Sequence, residues 1–118
     1  MIRFSVIYSD SYIFLGSASP GYQIFTNDNI DDLEFLLKKG TPDRPAILAL
    51  FTDFPGNPHL RTADLPRLRA LADIHHFPII IDETVGCHLN VQVLPFADII
   101  VASLTKIFSG FANVLGGA

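Results

Sequence analysis

Three short apolar runs limit what this chain can fold into more than anything else in it. Residues 45–51 form the first and end in Thr52-Asp53. Pro78-Ile79-Ile80-Ile81-Asp82 is the second, and Asp98-Ile99-Ile100-Val101-Ala102 is the third. Each is too short for a helix and rich in aliphatic or β-branched residues, so each reads as a buried strand. Between and before them the apolar period changes to that of a helix. Ile30, Leu33, Leu36 and Leu37 recur at helical spacing, and so do Leu65, Leu68, Leu71 and Ala72. Strands alternating with helices imply an α/β domain with a largely parallel sheet.

The helix ends are legible from their chemistry. Asn27-Asp28 offers a cap for a helix running through Lys39. Asp31, Asp32 and Glu34 fall near its start, and Lys38 and Lys39 near its end, which suits the helix dipole. Gly40 is a stop. Thr62 or Asp64 starts the next helix, and Pro66 is tolerated in its first turn. Arg61, Arg67 and Arg69 read as solvated or paired to Asp64 and Asp73. Residues 4–8 are apolar apart from Ser5 and read as a further short strand. Residues 9–21 read as irregular, and Ile24-Phe25 is too short to assign.

At 118 residues the chain makes at most one domain with a modest core. An apolar share of 49% excludes a disordered protein, and a net charge of −4 leaves no basic footprint for nucleic acid. No apolar run is long enough to cross a bilayer. Met1-Ile2-Arg3-Phe4 lacks the layout of a signal peptide. One cysteine makes no internal disulfide, which fits a reducing compartment such as the cytoplasm. The mean hydropathy is positive with few charges, so apolar surface is expected to be covered by something else. Together with an end at Gly116-Gly117-Ala118, this predicts a piece of a larger protein or an obligate oligomer.

The chemistry gathers where the strands end. Ser103 and Thr105 stand at spacing two, and Lys106 follows. On an extended chain the hydroxyls share a side and the lysine points away, so the backbone must bend if all three serve one ligand. An amine beside two hydroxyls suits a phosphorylated aldehyde: the amine forms an imine and the hydroxyls hold phosphate oxygens. Asp82 closes a neighbouring strand. If the two strands are adjacent, its carboxylate and Lys106 face one crevice. That pair is what pyridoxal phosphate needs, an amine for its aldehyde and a buried acid for its ring nitrogen. Asn57, in the loop Phe54-Pro55-Gly56-Asn57-Pro58, has a donor and an acceptor for a ligand. The same residues also describe a surface lysine, a structural acid and a turn asparagine. His75, His76 and His88 invite a metal, but adjacent histidines diverge on a helix and no second ligand pair exists. Cys87 beside His88 reads as a structural cysteine.

Several segments in order resemble the Cys/Met-metabolism family of pyridoxal-phosphate enzymes, and within it the fungal type of cystathionine γ-synthase. They are Phe51-Thr52-Asp53-Phe54-Pro55-Gly56-Asn57-Pro58, Ile81-Asp82-Glu83-Thr84 and Ser103-Leu104-Thr105-Lys106-Ile107-Phe108-Ser109-Gly110, together with residues 29–36, 65–73 and 93–98. The resemblance covers residues 8–118. It implies part of the mostly parallel-sheet large domain of fold-type-I transferases dependent on pyridoxal phosphate (PLP). It implies that Lys106 bonds covalently to the cofactor and then moves protons. Asp82 is implied to partner the pyridine nitrogen, Ser103 and Thr105 the phosphate, and Asn57 the 3-hydroxyl.

The implied reaction is γ-replacement, joining an activated homoserine ester to cysteine, in amino-acid metabolism. Amino-acid substrates and a homo-oligomer come with it; nucleic acid and membrane do not. The upstream phosphate loop, the tyrosine that stacks on the ring, and the C-terminal domain with its carboxylate-binding arginine have no match in this sequence. Asp53 and Phe111 also depart from the residues usual there. Three readings therefore stand at this point: a transsulfuration domain or another lyase of the family, a non-catalytic remnant that associates with a full-length relative, and an unrelated α/β binding module.

Overall fold

The computed structural model describes residues 4–8, 22–26, 29–39 and 47–118. Within them the chain runs β1 (Phe4–Tyr8), β2 (Tyr22–Phe25), α1 (Ile30–Lys38), β3 (Ile47–Asp53), α2 (Leu65–His75), β4 (Ile79–Asp82), α3 (Cys87–Asn90) and β5 (Ile99–Val101). A π-helical turn, Thr105–Ser109, follows. The strands form one sheet in the order β2-β1-β3-β4-β5, and every pair is parallel. This is the α/β class that the alternating periods imply. The segment around Ile24-Phe25 is a strand because β1 pairs with it along its length, not because of any pattern of its own. The Asn27-Asp28 cap, the Gly40 stop and the stretch read as irregular lie outside the described residues.

α1 and α2 cover the sheet with the stripes their sequences carry. Ile30 and Leu33 of α1 are buried, and so are Leu65, Leu68, Leu71 and Ala72 of α2. Asn29 stands at the N-cap of α1, but its Oδ1 accepts the backbone N–H of Thr26 and none from the helix. Asp64 caps α2, accepting from the Arg67 N–H at 3.1 Å, with Pro66 in the first turn. α2 ends at His76, whose φ of 57° turns the chain out of the helix.

The register sorts the sheet into two faces. Leu50 lies beside Ile79, Thr52 beside Ile81, and Ile81 beside Ile100. This face packs on α1 and α2, and Leu33, Leu50, Leu68, Ile79 and Ile81 are fully buried there. The alternate residues face the other way: Phe51 beside Ile80, Asp53 beside Asp82, Ile80 beside Ile99 and Asp82 beside Val101. Here the expectation of a buried last strand is corrected. Among the described residues β5 is an edge, and its Ile99 and Val101 are 49% and 38% exposed.

Ion pairs fasten the helices to their neighbours. Arg67 bridges Asp31 and Glu34, so it ties α2 to α1 and does not pair its guanidinium with Asp64. Its guanidinium, with Lys38 beside it, holds the Glu34 carboxyl down at about 2. Arg69 pairs with Asp73, as the spacing implies, and also with Asp98 at 2.8 Å. Asp98 in turn accepts the Ile79 N–H at 2.8 Å. That backbone hydrogen bond, and then Arg69, hold the Asp98 carboxyl below its ordinary range. One carboxylate thus joins α2, the start of β4 and the entry to β5.

Candidate functional site

Asn57, Asp82, Ser103, Thr105 and Lys106 all lie at the carboxyl ends of the adjacent strands β3, β4 and β5 or in the segments that leave them. In open parallel sheets this is where ligands bind. The loop after β3 is held against β4 by the Phe54 N–H, which donates to the Asp82 carbonyl at 2.8 Å. Asp53 Oδ2 accepts the Asn57 N–H at 3.0 Å, and Gly56 and Arg61 close the turn. Asn57 is therefore fixed through its backbone while its side chain stays exposed.

Asp82, the last residue of β4, is half-buried. Its Oδ1 accepts the Thr84 N–H at 2.9 Å. Thr84 also reaches the next strand: its Oγ1 accepts the Ser103 N–H at 2.8 Å. One side chain thereby joins the end of β4 to the exit of β5. Sequence reasoning gave Thr84 no role, and only its place two residues beyond the strand-end carboxylate could have flagged it. Gly86 lies in the same loop where nothing larger fits. A Cβ there would stand 2.6 Å from a Val91 methyl and 2.9 Å from Pro55 Cδ.

The bend that a shared ligand requires of Ser103, Thr105 and Lys106 is present. The strand ends at Val101, Leu104 is helical, and a π-helical turn begins at Thr105. The Ser109 N–H donates back to the Leu104 carbonyl at 2.9 Å, five residues apart. Wide turns of this kind recur at functional sites. Gly117 pairs with Ser103 as an antiparallel bridge, while Ala102 and Ala118 exchange two backbone hydrogen bonds of 2.9 and 3.0 Å. The segment thus doubles back on itself. The Ser103 backbone is held by Thr84 and its side chain is half-buried. The Thr105 hydroxyl donates to the Val114 carbonyl. Lys106 is exposed, and among the described residues nothing pairs with its Nζ.

Elsewhere, His75 and His76 end α2 without a third ligand nearby: among the described residues no group of three metal-binding side chains forms. Cys87 is half-buried, with its Sγ 3.7 Å from His88 Nδ1. No helix among the described residues is long and apolar enough to cross a membrane.

The chain is similar to known proteins. The family model described as Cys/Met metabolism PLP-dependent enzyme matches residues 1–118. A cystathionine γ-synthase-like enzyme of Amanita muscaria is 50% identical over 123 residues, which cover 99% of this chain and 20% of that protein. A cystathionine γ-synthase of Neurospora crassa is 46% identical over 120 residues, 98% of this chain and 19% of that protein. Among solved structures, a Campylobacter jejuni protein described as an O-acetylhomoserine (thiol)-lyase, which carries pyridoxyl-lysine monophosphate, superposes with a TM-score of 0.76. It is 28% identical, and the match covers 96% of this chain and 29% of that one. The chain therefore spans about a fifth of the length of these curated relatives.

Proposed function

We propose that this chain, which belongs to the Cys/Met metabolism PLP-dependent enzyme family, supplies the reactive lysine and the ring-nitrogen carboxylate of a cystathionine γ-synthase-like site. The observation that carries the reading is the juxtaposition at two adjacent strand ends of Asp82, Ser103 and a lysine without a partner among the described residues. The donor set suits pyridoxal phosphate. Asp82 keeps one carboxylate oxygen beyond the one Thr84 holds, and Lys106 Nζ stands open. When bound, the cofactor supplies an aldehyde for covalent capture of amines and a pyridine ring that spreads negative charge away from a substrate Cα.

The residues of this chain divide the remaining work. Asp82 holds a proton at the ring nitrogen, and Thr84 keeps that carboxylate from rotating. Lys106 would hold the cofactor through Nζ, and the same amine would accept a proton from the substrate Cα. Ser103 donates its hydroxyl to the phosphate. Thr105 joins it with its hydroxyl turned from Val114. Asn57 meets the 3-hydroxyl with its exposed amide. The reaction is γ-replacement on an activated homoserine ester by cysteine, carried out in the cytoplasm. The chain acts there as part of a large cofactor-binding domain. Residues beyond these 118 supply the phosphate loop, the stacking tyrosine and the substrate-binding arginine, and the assembly is a homo-oligomer. The short span relative to its relatives supports this reading.

The test is covalent trapping. The purified chain is mixed with pyridoxal phosphate, reduced with borohydride and digested, and the modified peptides are weighed. The expected outcome is one dominant adduct, on Lys106, that disappears in Lys106→Ala. Label spread evenly over Lys38, Lys39 and Lys106, unchanged by Asp82→Asn, would overturn the assignment. It would leave the non-catalytic remnant as the reading.

A further inference from the structure

Glu83 belongs to none of this. It follows Asp82, so the alternation of the strand sends it toward the opposite face of the sheet, the face of Ile81 and Ile100. Its backbone extends the ladder, the N–H donating to the Val101 carbonyl at 3.0 Å. Its side chain is only 8% exposed. Among the described residues no donor or cation reaches its carboxylate, yet the carboxylate oxygens keep accessible surface. That surface opens into a cavity of about 540 Å³ walled by Val91, Val93, Leu94, Pro95 and Ile100. A buried carboxylate without a partner is costly unless something cationic meets it. The volume is that of a small-molecule site, and apolar walls with one convergent polar group are its usual make-up.

The geometry points to a second binding site, on the sheet face of Ile81 and Ile100, for a small organic cation: an ammonium or guanidinium on an apolar stem. The head meets Glu83, and the stem lies against Val91, Leu94 and Ile100. His88 and Gln92 stand at the same cavity and are exposed. The cation has two possible sources, a free amine or an arginine or lysine side chain brought by a second copy of the chain.

The experiment is calorimetric titration of the whole chain with butylguanidinium and, as a neutral isostere, butylurea. The expected result is saturable binding of the guanidinium, at least tenfold weaker binding of the urea, and loss of the guanidinium signal in Glu83→Gln. Gln92→Lys, an exposed change that adds a competing charge at the cavity, is expected to weaken guanidinium binding severalfold. It keeps the test valid if Glu83→Gln does not fold. Equal binding of both probes, no binding of either, or a Gln92→Lys chain that binds as the parent does would overturn the site. Repeating the titration across protein concentrations separates the sources. Apparent affinity that falls as the chain is concentrated assigns the cation to a second copy, and constant affinity assigns it to a free ligand. None of these outcomes depends on pyridoxal phosphate, so the site and the proposed function fail separately.

Discussion

Thr84 shows how much a single residue can organise. Its backbone N–H fixes Asp82 and its hydroxyl accepts the Ser103 N–H, so two strand ends share one small residue. Thr84→Val keeps the shape and the N–H but removes the acceptor. A lost hydrogen bond of this kind costs about 0.5–1.5 kcal/mol, with the Ser103 N–H left to find water. The expected outcome is a modest fall in urea midpoint together with several-fold weaker trapping of pyridoxal phosphate on Lys106; an equal midpoint with full trapping would remove Thr84 from the site. Asp98 gives a second prediction, in pH. Its carboxyl is held below the ordinary value, so it binds protons more readily in the unfolded chain. Its contribution is fully present above the unfolded value of about 3.9 and is lost as pH falls through the lower folded one. Asp98→Asn is expected to lower stability at neutral pH and to flatten the acid-side loss, read from urea midpoints at pH 7 and pH 3. The strand-end carboxylate, the hydroxyls and the lysine were legible in the sequence because each stands at a change from apolar to polar. Thr84 was not, since its role depends on two strands lying side by side, which no local pattern encodes.

At the scale of elements, α2 has the most legible design. Asp64, Pro66 and the stripe of Leu65, Leu68, Leu71 and Ala72 are visible in the sequence, and the helix begins and packs as they imply. Leu68 is fully buried between this helix and the sheet. Leu68→Ala is expected to cost about 2–5 kcal/mol, the usual range for a large core side chain removed without collapse of the cavity, measured as a shift in urea midpoint at constant slope. A loss below about 1 kcal/mol would mean that the helix does not seal the core. Strand β2 is the opposite case. Tyr22–Phe25 carries no decisive period, and β1 decides its conformation from outside. The partner of Arg67 was equally hidden. Asp31 and Glu34 lie more than thirty residues away and meet it only because both helices sit on one sheet face.

For the molecule as a whole, the positive mean hydropathy finds its physical form on the side of β5. Ile99, Val101, Leu94, Phe108 and Phe111 are all exposed, the last two at 81% and 86%. An edge strand with an apolar face invites association. The chain on its own is expected to self-associate in sedimentation as its concentration rises, and Ile99→Lys is expected to shift it toward the monomer while changing the unfolding free energy of the monomer by no more than about 0.5 kcal/mol. A parent chain that stays monomeric throughout would show that this face needs no cover.

The strand order also has a consequence in time. β1 lies between β2 and β3, and β3 follows only after a helix has been made. During synthesis β1 must therefore wait, paired with β2 alone among these strands, for a partner more than forty residues behind it. From β3 onward the order is simple, each new strand adding beside the last. Contacts of such long sequence separation are slow to form, and a half-paired strand is exposed while it waits. Of these five strands β5 is the one added after β4, so the lysine that follows it is positioned only once β3 and β4 are in place beside it.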